Sequence, residues 1–217
     1  MPSPRTRRSL VPGSAGMIEC AVDEPEGEPR GIALVAHPHP LYGGTLENKV
    51  VHTLARTFAE LGYTAWRPNF RGVGASEGAY DEGRGEVDDL AAVLAHAGTR
   101  RPVLAGFSFG AAMVARLAAR LAAAGEAPER LVLVAPAVRL LDVPAVPADT
   151  LVIHGEQDST VPLADVLAWA RPQDLPIVVV PGADHFFHRR LSVLRRIVTA
   201  NWHERPEAKP PLPASPR

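Results

Sequence analysis

Gly106-Phe107-Ser108-Phe109-Gly110 sets a serine between an apolar run, Pro102 to Ala105, and Ala111 to Ala124, a stretch of strong helix formers. A serine at such a strand-to-helix junction is held in a tight turn, and the two glycines let neighbouring backbone pass close. The following helix aims unpaired N–H groups and its positive end at the same spot. This is how a chain presents a nucleophile beside a site for a developing anion. A serine also needs a base to take its proton, and that base, if histidine, needs a carboxylate to fix its tautomer.

The elements that would position these groups alternate between strand and helix. Apolar runs at Ile32–Ala36, Tyr63–Trp66, Val103–Phe107, Leu131–Val134, Leu151–His154 and Ile177–Val180 read as strands, most of them buried on both faces, and Met17–Val22 as an edge strand. Helices are expected from a Thr45 cap to Leu61, over Glu86–Ala97, from Ala111 to Ala124, around Leu163–Ala170, and from Phe187 to His203. Such alternation implies an α/β fold, a mostly parallel sheet with helices on both faces, in which ligands bind beyond the carboxyl ends of the strands. Four loops leave those ends with polar residues: 37–44, 106–110, 154–162 and 181–188, carrying His37, His39, Ser108, Asp158 and His185. Residues 1–16 read as a flexible arm, 17–203 as a single domain, and 204–217, with five prolines, as a disordered tail.

The order Ser108…Asp158…His185 resembles the α/β-hydrolase arrangement. Within that superfamily, His37-Pro38-His39-Pro40-Leu41-Tyr42-Gly43-Gly44-Thr45 and Asn69 to Gly78 resemble a compact bacterial group of hydrolases without a lid domain. The 154–162 segment is similar to the superfamily's acid loop, and Gly182 to Phe187 to its histidine loop. The resemblance implies Ser108 as nucleophile, His185 as general base and acid, and Asp158 as the orienting carboxylate. It also implies an oxyanion hole with the N–H of Phe109 as one donor. The second donor belongs to the loop after Ala36, where Pro38 and Pro40 have no N–H; His39 or Leu41 remains, and His39 matches the family position better. Rivals are His188 for the base and Asp184 or Asp142 for the acid, while His154 reads as a strand-end residue bonded to backbone.

Between the strand at 131–134 and the next, residues 137–149 are too few for a lid, so an open site is expected. Leu41, Tyr42, Phe109, Val161, Phe186 and Phe187 are candidates for an apolar pocket. The expectation is a serine hydrolase of small esters or thioesters. Short peptides or amides come second, acyl transfer uses the same residues, and a non-catalytic binding protein would predict a broken triad. Arg71-Gly72-Val73-Gly74 lacks the third glycine of a dinucleotide loop, so Arg71 reads as paired internally or holding an acidic group. Asp88 and Asp89 read as a solvated helix face or partners of its N-terminal dipole.

A formal net charge of -1 gives no reason to invoke nucleic acid or a membrane surface, and the single cysteine, Cys20, allows no internal disulfide or cysteine-rich metal site. No cofactor or metal is expected. The partner expected is a small-molecule substrate, and the basic N-terminus lacks a signal peptide's apolar stretch, so a cytoplasmic protein is expected.

Overall fold

The computed structural model describes residues 5–99 and 101–202. Its centre is an eight-stranded sheet in the order β1-β2-β4-β3-β5-β6-β7-β8. The strands are β1 (Arg5–Gly13), β2 (Gly16–Glu24), β3 (Gly31–Ala36), β4 (Tyr63–Pro68), β5 (Val103–Phe107), β6 (Arg130–Val134), β7 (Leu151–Gly155) and β8 (Ile177–Val180). β1 and β2 pair antiparallel, as do β2 and β4; β3 through β8 run parallel to one another and to β4.

Alternation along β5 shows how the sheet builds two cores. Leu104 faces one side, with α2 (Arg84–Ala97), α3 (Phe109–Ala123) and α4 (Leu163–Ala170), packing near Leu90, Leu117 and Val166. Val103, Ala105 and Phe107 face the other, with α1 (Lys49–Glu60) and α5 (Leu191–Ala200), among Leu54, Phe58 and Leu194. A strand buried on both faces is apolar throughout, and β5 is. Between β6 and β7 the described chain has no helix, which leaves the carboxyl end of the sheet without a lid. Among the described residues no helix is long and apolar enough to cross a membrane.

Three expectations need correction. Residues 5–13 are not a loose arm but β1, registered on β2 from Arg5↔Glu24 to Gly13↔Gly16, so β2 is not at the edge. Only Val11 of β1 is buried, so no apolar alternation marks it; pairing is reinforced by Arg7 Nε donating to Glu24 (2.9 Å) and by Thr6 donating to Asp23 (2.5 Å). The cap of α1 is Asn48, whose Oδ1 accepts from the N–H of Val50 at 2.9 Å, whereas Thr45 accepts from Glu47 one turn earlier. The last helix starts at Leu191, because Phe187 (φ 53°) and Arg189 (φ 59°) are left-handed and cannot continue a helix. The expected tail at 204–217 lies outside the described residues.

Candidate active site

The elbow between β5 and α3 is built by close approach. Ser108 stands at φ 56°, ψ −114°, a strained backbone for a residue with a side chain. A Cβ on Gly106 would lie 2.3 Å from the carbonyl oxygen of Gly110, and one on Gly110 would lie 2.4 Å from that of Ala36. Both glycines are therefore steric necessities. The turn is fixed by the Ser108 N–H donating to Val134 O at 2.9 Å, and by its carbonyl accepting from Ala111 and Ala137.

Three loops at the carboxyl ends of β5, β7 and β8 meet here. His185 Nδ1 donates to Asp158 Oδ2 at 2.7 Å, and its Nε2 accepts from Ser108 Oγ at 3.1 Å. Asp158 is fixed by its other oxygen, which accepts from the N–H groups of Thr160 (2.9 Å) and Val161 (2.7 Å). The three residues are 8%, 5% and 5% exposed for Ser108, Asp158 and His185, so the relay is shielded except where the serine meets the cavity.

The rival residues are otherwise engaged. His188 Nδ1 donates to Asp184 Oδ2 at 2.6 Å; desolvation raises the Asp184 carboxyl, but bonds from the His188 ring and N–H and from the Phe186 N–H together hold it below its ordinary range. Asp142 lies in the β6–β7 connection, and its carbonyl accepts from Arg116 Nε at 3.0 Å. His154 Nε2 donates to the Val161 carbonyl at 2.9 Å, which makes it a backbone-bonded strand-end residue as expected. Its other nitrogen, Nδ1, is buried without a partner, and burial lowers its pKa, so the ring stays neutral next to the Asp158 loop.

His37 is structural. Its Nδ1 donates to the Pro38 carbonyl at 2.6 Å and its Nε2 accepts from the Phe70 N–H at 2.9 Å, tying the loop after β3 to the loop after β4. Burial pushes its pKa down to about 4, so the neutral tautomer those bonds require is held. The His39 ring packs against Phe109 and Tyr42 at 4.8 Å and Tyr80 at 5.0 Å. Its Nδ1 accepts the N–H of Leu41 at 3.2 Å.

Arg71 turns inward. It makes a paired contact with Asp89, Nε–Oδ2 at 2.7 Å and Nη2–Oδ1 at 2.8 Å, and donates to the Gly85 carbonyl. Asp89 is thus buried, not on a solvated face, and the expectation for it is corrected; Asp88, on the neighbouring face, pairs with exposed Arg120. A second buried pair, Arg67–Asp23 at 2.8 Å, had no signal in the sequence because its residues lie on two strands far apart in the chain.

Ser108 and His185 open into a cavity of about 330 Å³ walled by His39, Tyr42, Tyr80, Phe109, Leu140 and Phe186, among others. Of the apolar candidates, Tyr42, Phe109 and Phe186 line it. Leu41 does not line it and is exposed. Val161 and Phe187 are core residues, buried at 1% and 0%, because Val161 follows the Asp158 turn inward and Phe187 points back under the sheet. The sequence reading missed Tyr80, Leu140 and Leu141, which come from connections with no motif of their own. Among the described residues no group of three or more His, Cys, Asp or Glu side chains is placed to hold a metal.

Residues 27–147, more than half of the chain, match the family described as serine aminopeptidase S33. An α/β serine hydrolase without lid from Xanthomonas campestris is 38% identical, with a TM-score of 0.83, covering 93% of this chain and 94% of that one. An α/β serine hydrolase homologue from Coxiella burnetii is 40% identical, with a TM-score of 0.78, covering 91% of this chain and 97% of its own. An uncharacterized protein of Rickettsia prowazekii (strain Madrid E) is 33% identical over 206 residues, 86% of this chain and 84% of that protein. The chain belongs to this serine aminopeptidase S33 family of α/β serine hydrolases.

Proposed function

We propose that the protein hydrolyses small esters or thioesters through an acyl-enzyme on Ser108, with His185 as base and acid and Asp158 as its orienting carboxylate. The observation that carries this reading is the continuous relay from Asp158 through His185 to a strained, cavity-facing Ser108. Ser108 Oγ attacks the acyl carbon as its proton passes to His185 Nε2. The bond to the leaving oxygen or sulfur breaks, and that atom takes the proton. Water then repeats the sequence on the acyl-serine, releasing the acid and restoring the serine.

The N–H groups of Phe109 and His39 are our oxyanion donors. Neither is used by a hydrogen bond within the described residues, whereas the N–H of Leu41 is engaged by the His39 ring. Tyr42 and Phe186 are the substrate-binding aromatics. The cavity walls favour an ester over an aminopeptidase substrate: no carboxylate lines them among the described residues, so a protonated α-amine would find no anionic partner. The substrate is taken as a free small molecule, with no nucleic acid, membrane or cofactor in the reaction, in the cytoplasm.

Covalent labelling with a fluorophosphonate, followed by peptide mapping, tests the proposal. Modification confined to Ser108, and abolished in His185→Ala, is expected. Folded protein that is not labelled, or is labelled elsewhere, would overturn it.

A further inference from the structure

A groove of about 450 Å³ adjoins the cavity, and Gly43, Asn48 and Phe186 line both. Their positions give the pair a direction. In the reaction proposed above, His185 hands its proton to the leaving atom, so the leaving group departs on the side of the imidazole. Phe186 follows His185 directly; its ring stands 5.1 Å from that of His185 and 5.8 Å from that of His188, which lies in the groove. Ala137, Leu140, Leu141 and Tyr80 wall the cavity but not the groove. The cavity therefore suits the acyl group, and the groove lies on the leaving-group side.

The groove differs from the cavity in charge. Lys49 and Arg189 line it, both exposed, and neither side chain has an ion pair or hydrogen bond to a described residue. The other ionisable groups there are already balanced. Glu47 is bonded by Arg8 and lies 3.7 Å from Arg67, and His188 is paired with Asp184. Two cations without a described partner outnumber the one carboxylate, Glu47, in a concave surface that shares its wall with the serine's cavity, so the field there is net positive.

We infer that the groove binds an anionic group on the leaving portion of the substrate, a carboxylate or a phosphate, with Lys49 and Arg189 as specificity-determining residues. This rests on the serine hydrolase reading, which assigns the groove its side. The class of substrate is an ester or thioester with a short apolar acyl part and an acidic alcohol or thiol part. A carboxylate and a phosphate would use the same two cations.

The test compares acetyl esters of meta-hydroxybenzoate, of meta-hydroxyphenyl phosphate and of neutral meta-hydroxybenzamide, which share acyl group and ring. Wild-type kcat/KM should favour an anionic ester by about tenfold at low ionic strength, as expected of two exposed ion pairs, and the preference should fall with salt. The better of the two anions identifies the group. The ratio should collapse toward one in Lys49→Ala/Arg189→Ala. In Lys49→Glu/Arg189→Glu it should shift toward a trimethylammonium-bearing phenyl ester, a reversal that mere loosening of the fold would not produce. Equal rates on charged and neutral esters, or a preference that survives in the alanine pair, would overturn the inference while leaving the hydrolase reading standing. If no ester is turned over and Ser108 is not labelled, the hydrolase reading itself fails. Binding of free meta-hydroxybenzoate, followed by calorimetry, still reads the groove: it should be lost in the alanine pair, and no binding to wild type would overturn the inference.

Discussion

Asp158→Asn separates the role of charge from that of shape. Asp158 Oδ1 accepts two backbone N–H groups, from Thr160 and Val161, so the amide oxygen of an asparagine would take that place. Its NH₂ would then face His185 Nδ1, now 2.7 Å from Oδ2. A donor there forces the imidazole to accept at Nδ1 and carry its proton on Nε2, facing the serine it should deprotonate. The lost attraction can be sized from the same distance. An imidazolium and a carboxylate 2.7 Å apart attract by about 6 kcal/mol at an effective dielectric of about 20, which is a ceiling of slightly over 10⁴-fold. Because the amide keeps a dipole in place, a fall in kcat/KM of about 10³–10⁴ is expected. The rate of fluorophosphonate labelling and acetyl-ester hydrolysis both report it, with circular dichroism to confirm the fold. Activity within tenfold of wild type in a folded variant would refute the relay as the source of the serine's reactivity.

Gly110→Ala would drive a Cβ to 2.4 Å from one backbone oxygen and 2.5 Å from another, so a loss of Tm with labelling slowed at least tenfold is expected; a variant with unchanged Tm would show that the elbow has slack. Asp89→Asn would leave the Arg71 guanidinium buried and poorly paired, at a cost of about 3–5 kcal/mol in urea denaturation, and a loss below about 1 kcal/mol would count against that pair as a structural anchor. His37 gives a pH signature: its folded pKa lies at about 4, below its ordinary 6.5, so the unfolded chain binds more protons between those values. Its contribution is full above pH 6.5 and is lost as the pH falls toward 4, by about 3 kcal/mol in all; the difference in stability between wild type and His37→Gln should narrow over that window, and a constant difference would contradict the assignment.

The fold and the relay were legible because their signals are local. Val103–Phe107 is apolar at each position, as a strand covered on both faces must be, and the glycines on either side of Ser108 mark a backbone crossing that admits no Cβ. Asp158 and His185 were found by rule, since each follows a strand in the loops where such a sheet keeps its ligands. What escaped depends on partners distant in sequence. β1 carries one buried residue and owes its form to β2, and Arg67 gives no hint of Asp23. Part of the cavity wall escaped for a similar reason: Tyr80 and Leu140 come from loops whose course is set by tertiary packing alone. The helix boundary at Leu191 was misplaced because φ is not written in Phe187 or Arg189, residue types that seldom adopt left-handed backbone.

β1 has a meaning for how the chain behaves among other chains. β2 carries Ile18, Cys20 and Val22 in the core, and without a neighbour its free N–H and C=O groups would offer a ready template to any passing extended segment. β1 covers that template and replaces it with a border of Arg5, Arg7 and Arg8, followed by Pro12, which has no N–H to give. Arginines already held in ion pairs with Glu24, Glu19 and Glu47, and a missing donor, make this flank a poor place for a second sheet to begin. The hairpin thus blunts this flank of the sheet as a site of strand-to-strand self-association, and it does so away from Ser108, which stands at the carboxyl end of central β5.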